Sequence, residues 1–214
     1  MAAMGGRVGS MGQLSAVVKR GDGRIENLRQ ISDVVRASLI WKIGNFRQNV
    51  WPGLWRSTLA KTLGMAHWRS KLNLRLKRAD GSIVDYGMVS TRLVTTAFVN
   101  YLTDQLQAET SKLGDFKYHD SGVGVTGAAT GDTDIETTDS IARAAGTQTE
   151  GTAGNMYVSV GTITYTASLA VIEHGLFNAT TGATLLDHHV FSAINVVATD
   201  KIEFTYQLTS SAGG

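Results

Sequence analysis

The stretch that most constrains the fold is Met156 to Leu208, which reads as four consecutive β-strands: Tyr157–Tyr165, Leu169–Phe177, Thr184–Phe191 and Ile202–Leu208. In the last, Ile202, Phe204, Tyr206 and Leu208 alternate with Glu203, Thr205, Gln207 and Thr209. A period of two sends successive side chains to opposite faces, so this is the pattern of a half-buried antiparallel strand. Asn178–Gly182 and Asn195–Asp200 supply turns. Within the first strand, Val158 and Val160 share one parity while Ile163 and Tyr165 take the other, which predicts a β-bulge at Gly161.

Upstream, two hairpins are expected. Leu14–Val18 and Arg24-Ile25 flank Asp22-Gly23, and Leu72–Leu76 and Ser82-Ile83 flank Asp80-Gly81. Glycine accepts the positive φ of a primed turn, so Asp-Gly between strand-like runs favours a hairpin. The two align at an offset of 58 residues, and each precedes a helix-like stretch. Duplication of a hairpin–helix unit and recurrent turn chemistry both account for this. Ile31, Val35, Leu39 and Ile43 predict an amphipathic helix ending at Gly44-Asn45. Pro52-Gly53 predicts a turn, and Leu59–Met65 a short helix stopped by Gly64. Ser90 or Thr91 is the expected N-cap of a helix striped by Val94, Phe98, Leu102 and Leu106 and ending near Lys112–Gly114. Asp115–Gly122 fits a strand. Gly122–Glu150, poor in large apolar side chains, reads as a long loop that is functional, ordered by a partner or disordered. The expected fold is mainly β with two or more helices. An antiparallel β-sandwich domain spans residues 65–214, with one helix near 91–112. A basic, Trp-rich hairpin–helix extension spans residues 1–64, beginning as an arm, and Met65 is an alternative start.

Without cysteine there is no disulfide, thiolate nucleophile or Cys-type zinc site. No apolar run is long enough to predict a membrane span, and Met1–Arg7 does not open a signal peptide. The net charge of +2 hides an asymmetry: residues 1–90 carry fifteen Lys/Arg against five Asp/Glu, and residues 91–214 carry five against thirteen. The basic half suits nucleic acid, an acidic protein surface or the acidic half of the next copy; ordinary solvated charge is the plain alternative. All four tryptophans, Trp41, Trp51, Trp55 and Trp68, fall within 28 residues, interleaved with Arg47, Arg56 and Arg69. Trp and Arg dominate binding hot spots, so these seven are the interface candidates. A small local core and a nucleic-acid stacking platform are the rival readings.

Asp132, Asp134, Glu136 and Asp139 resemble a calcium loop, but Thr137 stands where the EF-hand requires glycine. Glu173-His174 and Asp187-His188-His189 bring histidines near acids. Adjacent strand residues face opposite ways, so His188 and His189 do not serve one site. Neither a Gly-x-Ser-x-Gly elbow nor a phosphate-binding Gly-x-x-x-x-Gly-Lys-Ser/Thr occurs. The expectation is no enzyme, no cofactor and no metal site.

Glu173-His-Gly-Leu-Phe-Asn178, Gly182, Thr184-Leu-Leu186, Val190-Phe191 and Lys201–Tyr206, with Phe116–Gly122 and Arg143–Glu150, form a recurring pattern. It resembles small structural, head- or tail-associated virion proteins of tailed bacteriophages, over roughly residues 72–214. The resemblance implies a non-enzymatic virion component with a β-sandwich, assembled in the host cytoplasm as a homo-oligomer in contact with the major capsid protein or other virion proteins. A capsid cement or decoration protein bridging major-capsid subunits is the first expectation, and a head–tail connector or tail component the second. Two other classes are a nucleic-acid-binding module through residues 7–78 and a carbohydrate-binding sandwich. The latter needs an exposed platform from Tyr157, Tyr165 and Tyr206, and the alternation turns Tyr206 inward.

Overall fold

Alternation along the strands builds two sheets that face one another. The structure, a computed structural model, describes residues 15–19, 25–29, 34–65, 67–92, 94–105 and 113–211. The strands are β1 (Ser15–Lys19), β2 (Ile25–Arg29), β3 (Val34–Arg36), β4 (His67–Lys77), β5 (Ile83–Arg92), β6 (Tyr118–Gly122), β7 (Ala144–Ala145), β8 (Thr147–Glu150), β9 (Met156–Thr164), β10 (Leu169–Phe177), β11 (Leu185–Val196) and β12 (Lys201–Ser211). One sheet runs β3-β5-β4-β12-β9-β8 and the other β11-β10-β6-β7; β1 and β2 form a separate hairpin. Among the described residues, only the β3–β5 pairing is parallel. The helices are α1 (Leu39–Asn45), α2 (Trp51–Thr62) and α3 (Thr96–Gln105), with a π-helical turn, Phe46–Val50, joining α1 to α2. This is the mainly β, sandwich-plus-helices architecture expected.

The core lies between the sheets. Leu72, Leu74 and Leu76 of β4 and Ile202, Phe204, Tyr206 and Leu208 of β12 are buried together with Leu176 of β10 and Phe191 and Ile194 of β11. Phe98 of α3 and Tyr101 meet Phe116 edge-on, at 5.3 and 5.0 Å between ring centroids, closing one end.

Both Asp-Gly hairpins are present, with Lys19 opposite Ile25 and Lys77 opposite Ile83; the first turn, residues 20–24, lies outside the described residues. Elsewhere the local expectations need correction. Val34–Arg36 is a strand paired with β5, not part of a helix, and Ile31 lies outside the described residues. Gly44-Asn45 does not end the helix, which runs on to Thr62. Pro52 makes no turn: it sits at the start of α2, directly after the π-turn. There the Trp51 N–H bonds to the Phe46 carbonyl, one residue further back than in an α-helix, which lets the proline ring enter the helix. Ser90 and Thr91 belong to β5, and the cap of α3 is Thr95, whose Oγ1 accepts from the Phe98 N–H at 3.1 Å. Leu106 and the expected end near Lys112 lie outside the described residues. No bulge occurs at Gly161, since β9 pairs with β12 in unbroken register. Ser159, Gly161, Ile163 and Tyr165 all point inward. The two small residues make room for the His119 ring, which a Cβ on Gly161 would strike.

The long loop folds over the outer face of the four-stranded sheet, held by its own chain. Glu173 of β10, fully buried there, accepts from the backbone N–H of Gly124, Glu136 and Thr137, each at 2.8 Å. Arg143 bonds to Asp120 at 2.9 Å and Asp134 at 3.3 Å, and its guanidinium lies 3.5 Å over the Phe177 ring. The acids of the calcium-like run are turned onto local donors: Asp132 onto His188 and the Ala129 N–H, Glu136 onto Thr126, Asp139 onto Ser121. Removing one member of a buried charged network leaves the others desolvated and unpaired. Glu173→Ala is therefore expected to cost about 3–5 kcal/mol, read by urea denaturation, and to open residues 123–143 to limited proteolysis.

Candidate interaction surface

The α1–π–α2 rod spans Leu39 to Thr62 and turns its small and polar side toward the sandwich. Asn45, Asn49, Gly53 and Ser57, four apart, are the buried positions, with Val50 between them. Ser38 caps the rod, its Oγ accepting from the Trp41 N–H. Asn45 is the anchor: its Nδ2 donates to the Val89 carbonyl of β5 at 2.7 Å, and its Oδ1 accepts from the Ser192 N–H of β11 at 2.8 Å. One side chain thus ties together strands of both sheets at the sandwich's open side. Thr91 Oγ1 donates to the Val50 carbonyl at 2.8 Å and Arg92 to the Asn49 carbonyl at 3.1 Å. A Cβ on Gly53 would collide with the Thr91 backbone, so the closeness of rod and strand rests on glycine there.

Because the inward side is mostly polar and small, most of the large apolar side chains face outward, Val50 and Trp41 excepted. Leu39, Ile40, Ile43, Phe46, Trp51, Trp55, Leu59, Leu63 and Met65 are all exposed, Ile40 at 86% and Trp55 at 59%. Residues four apart share a face of an α-helix. Phe46 and Trp51 are five apart, yet their rings lie 6.3 Å apart, because the wider π-turn keeps the stripe continuous. Lys42, Arg47, Arg56 and Lys61 are the charged residues of Leu39–Met65, which contains no acid.

The structure divides the seven interface candidates. Trp51 and Trp55 lie on the exposed stripe, and Arg47 and Arg56 are exposed on the same rod. Trp41 and Trp68 pack against the core: Trp41 donates to the Ala193 carbonyl at 3.2 Å and meets Tyr86 edge-on, and Trp68 meets Phe98. Arg69 is half-buried on β4, opposite Thr209, and is not part of the rod. Composition alone missed Ile40, Ile43, Phe46, Leu59 and Leu63. The four-residue spacing of Trp51, Trp55, Leu59 and Leu63 was the signal that reveals them.

Four of the five histidines form two networks on opposite faces of the four-stranded sheet. His188 and His189 do separate, as strand geometry requires. Inside the sandwich, His119 lies between Ser159 Oγ and His174 Nε2, each at 2.9 Å, and His189 Nε2 is 3.2 Å from Ser70 Oγ. All three rings are fully buried. Burial pushes His119 down to about 3 and His174 well below the usual histidine value, so both are neutral in the fold. On the outer face, His188 bridges Glu173 at 3.0 Å and Asp132 at 2.7 Å. Burial pulls its imidazole down, but bonds to the two carboxylates outweigh this and raise it. Burial likewise pushes the Glu173 carboxyl up, while His188 and the three backbone N–H groups hold it below its usual range.

Comparison of the chain with protein-family models, curated proteins and solved structures found no match.

Two measurements follow. Asn45→Ala leaves the buried Val89 carbonyl and the part-buried Ser192 N–H without this partner and is expected to cost about 2–4 kcal/mol, read by chemical denaturation. Acid is expected to destabilise the fold through His119 and His174. Their pKa values are depressed on folding, so below the unfolded value near 6.5 the unfolded chain binds more protons. Stability is full above pH 6.5 and falls by about 1.4 kcal/mol per pH unit for each histidine as pH drops. His188 has the opposite sign: its contribution is full below the unfolded value and is lost as pH rises through its raised folded value. Urea midpoints at pH 7, 6 and 5 test the acid limb.

Proposed function

We propose that this protein is a non-enzymatic assembly component that docks through the outward face of the α1–π–α2 rod. One observation carries the reading: a stripe of large apolar side chains stands exposed on a rod that is itself fixed to the body by polar contacts. Contiguous apolar surface of this kind marks an interaction site. Four cations and no acid between Leu39 and Met65 specify an apolar partner surface with an acidic rim. Pairing two rods face to face about a twofold axis would bring four cations from each copy together without counter-charge. The partner is therefore the acid-rich half of the next copy, residues 91–214, in a head-to-tail contact of the kind that builds rings or open chains. The sequence's resemblance to tailed-phage virion proteins favours reading such an assembly as part of a particle: a capsid cement or decoration protein bridging major-capsid subunits, with a head–tail connector or tail component as the alternative.

The same cations, with Trp51 and Trp55 exposed, favour nucleic-acid binding as the second reading. Light scattering at low and high salt separates the two. A discrete oligomer free of nucleic acid is expected, and Ile40→Glu with Trp55→Glu is expected to reduce it to monomer with an unchanged circular dichroism spectrum. A wild-type monomer that co-purifies with nucleic acid and releases it at high salt overturns the assembly reading.

A further inference from the structure

A basic, apolar rod that meets the acid-rich half of the next copy needs a seat with exposed acid beside apolar surface. Most acids of that half are engaged within their own chain. Glu173, Asp187 and Asp200 are buried, and Asp120 is buried on Arg143. Asp132, Asp139 and Glu203 are half-buried, on His188, Ser121 and Arg75. Among the described residues between 91 and 214, the exposed acids are Asp104, Asp134, Glu136 and Glu150. Asp104 is the one acid of α3 and Glu150 the one acid of β8. Asp134 and Glu136 stand together.

Both line a cleft of about 540 Å³ on the surface of the long loop. Clefts of roughly 300–1,000 Å³ take a drug-sized ligand, so there is room for one indole. Ile135, buried, and Ile141, half-buried, supply its apolar lining, and Ala142 and Thr181 stand exposed along it. Arg143, the cation of the lining, is matched by Asp120 and Asp134. Glu136 bonds to the Thr126 N–H and hydroxyl, which hold its carboxyl below the usual range, and meets no cation among the described residues. A second cleft, along Trp68, Met156 and Tyr157, has Glu150 as its single acid. No residue of the rod lines the acidic cleft, which lies over β6 and the approach to β7, while Asn45 fixes the rod at β11, the far edge of the same sheet. On the rod, Trp51 is propped against Phe46, whereas Trp55 is 59% exposed and makes no ring contact among the described residues. Arg56 and Lys61 of α2 are exposed beside it.

We propose that this cleft seats the rod of a second copy, with the next copy's Trp55 entering against Ile141 and Ala142 and its Arg56 and Lys61 meeting Asp134 and Glu136. Trp and Arg are the residues that carry binding energy when they fill such pockets, and the opposed charges fix the orientation. The proposal rests on the assembly reading and gives it an address. Each contact uses one rod and one cleft, so a pair of copies keeps a free rod at one end and a free cleft at the other, and the contact propagates.

Complementation between two variants of the full chain tests it, read by light scattering. Ala142→Arg with Thr181→Arg sets two cations in the cleft at exposed positions. It is expected to weaken self-association at least about tenfold with an unaltered circular dichroism spectrum. Ile40→Glu with Trp55→Glu keeps the cleft and spoils the rod. Mixed one to one, the two variants are expected to form a discrete heterodimer and nothing larger, since each supplies what the other lacks. The heterodimer also shows that the cleft variant is folded, because it contributes its rod. A cleft variant that associates as the wild type does, or a mixture that stays monomeric, overturns this seat. If the wild type is at the same time an oligomer that Ile40→Glu with Trp55→Glu dissolves, the assembly reading stands without it. A monomeric wild type overturns both.

Discussion

Strand β12 is the constraint on which the rest depends. It is paired along its whole length with β4 on one side and over nine residues with β9 on the other. Its four inward side chains, Ile202, Phe204, Tyr206 and Leu208, form the floor of the core. A slip of one residue would send all four to the opposite face and bring Glu203, Thr205 and Gln207 inside. With β12 fixed, β4 and β9 are fixed, and so is the surface on which the second sheet rests.

The second sheet is held by a less ordinary device. Its inner face carries His119, His174 and His189 into the core, where Phe204 lies 4.6 Å from the His174 ring. His119 and His174, neutral and hydrogen-bonded to one another, with His119 also on Ser159, behave here as polar aromatic filling. Its outer face is closed by a loop that could not bury itself by hydrophobicity alone, since Ile135 is the large apolar side chain it inserts beside Phe177 and Leu185. The buried Glu173 carboxylate substitutes for that missing apolar area by gathering three backbone N–H groups and His188. Asp200 does similar work at the other end: fully buried, it accepts from Arg78 at 2.6 Å and from the N–H groups of Ala79 and Val197, joining the β4–β5 and β11–β12 turns.

The rod inverts the usual arrangement of a surface helix, which buries its apolar side. Here Asn45 and Gly53 set the inward side: one satisfies two strand groups that would otherwise be orphaned, and the other permits contact too close for a side chain. Most of the rod's large apolar side chains, Val50 and Trp41 excepted, then turn outward. The stripe, the basic flanks and the absence of acids are one surface.

What the sequence determined by itself was whatever depends on neighbours along the chain. The two-residue period of β12, the Asp-Gly hairpins, the Gly64 stop and the separation of His188 from His189 follow from local geometry and were legible without a structure. The tertiary structure decided what depends on distant partners. Val34–Arg36 became a strand because β5 offered it backbone groups, and the helix passed through Gly44 and Pro52 because Asn45 and a π-turn supported it. Gly161 faced inward to admit a histidine from another sheet, and a loop that composition left open was closed by one buried glutamate. Trp41 and Trp68 went to the core while Trp51 and Trp55 went to solvent, since burial is a property of the surface a side chain meets and not of the residue alone.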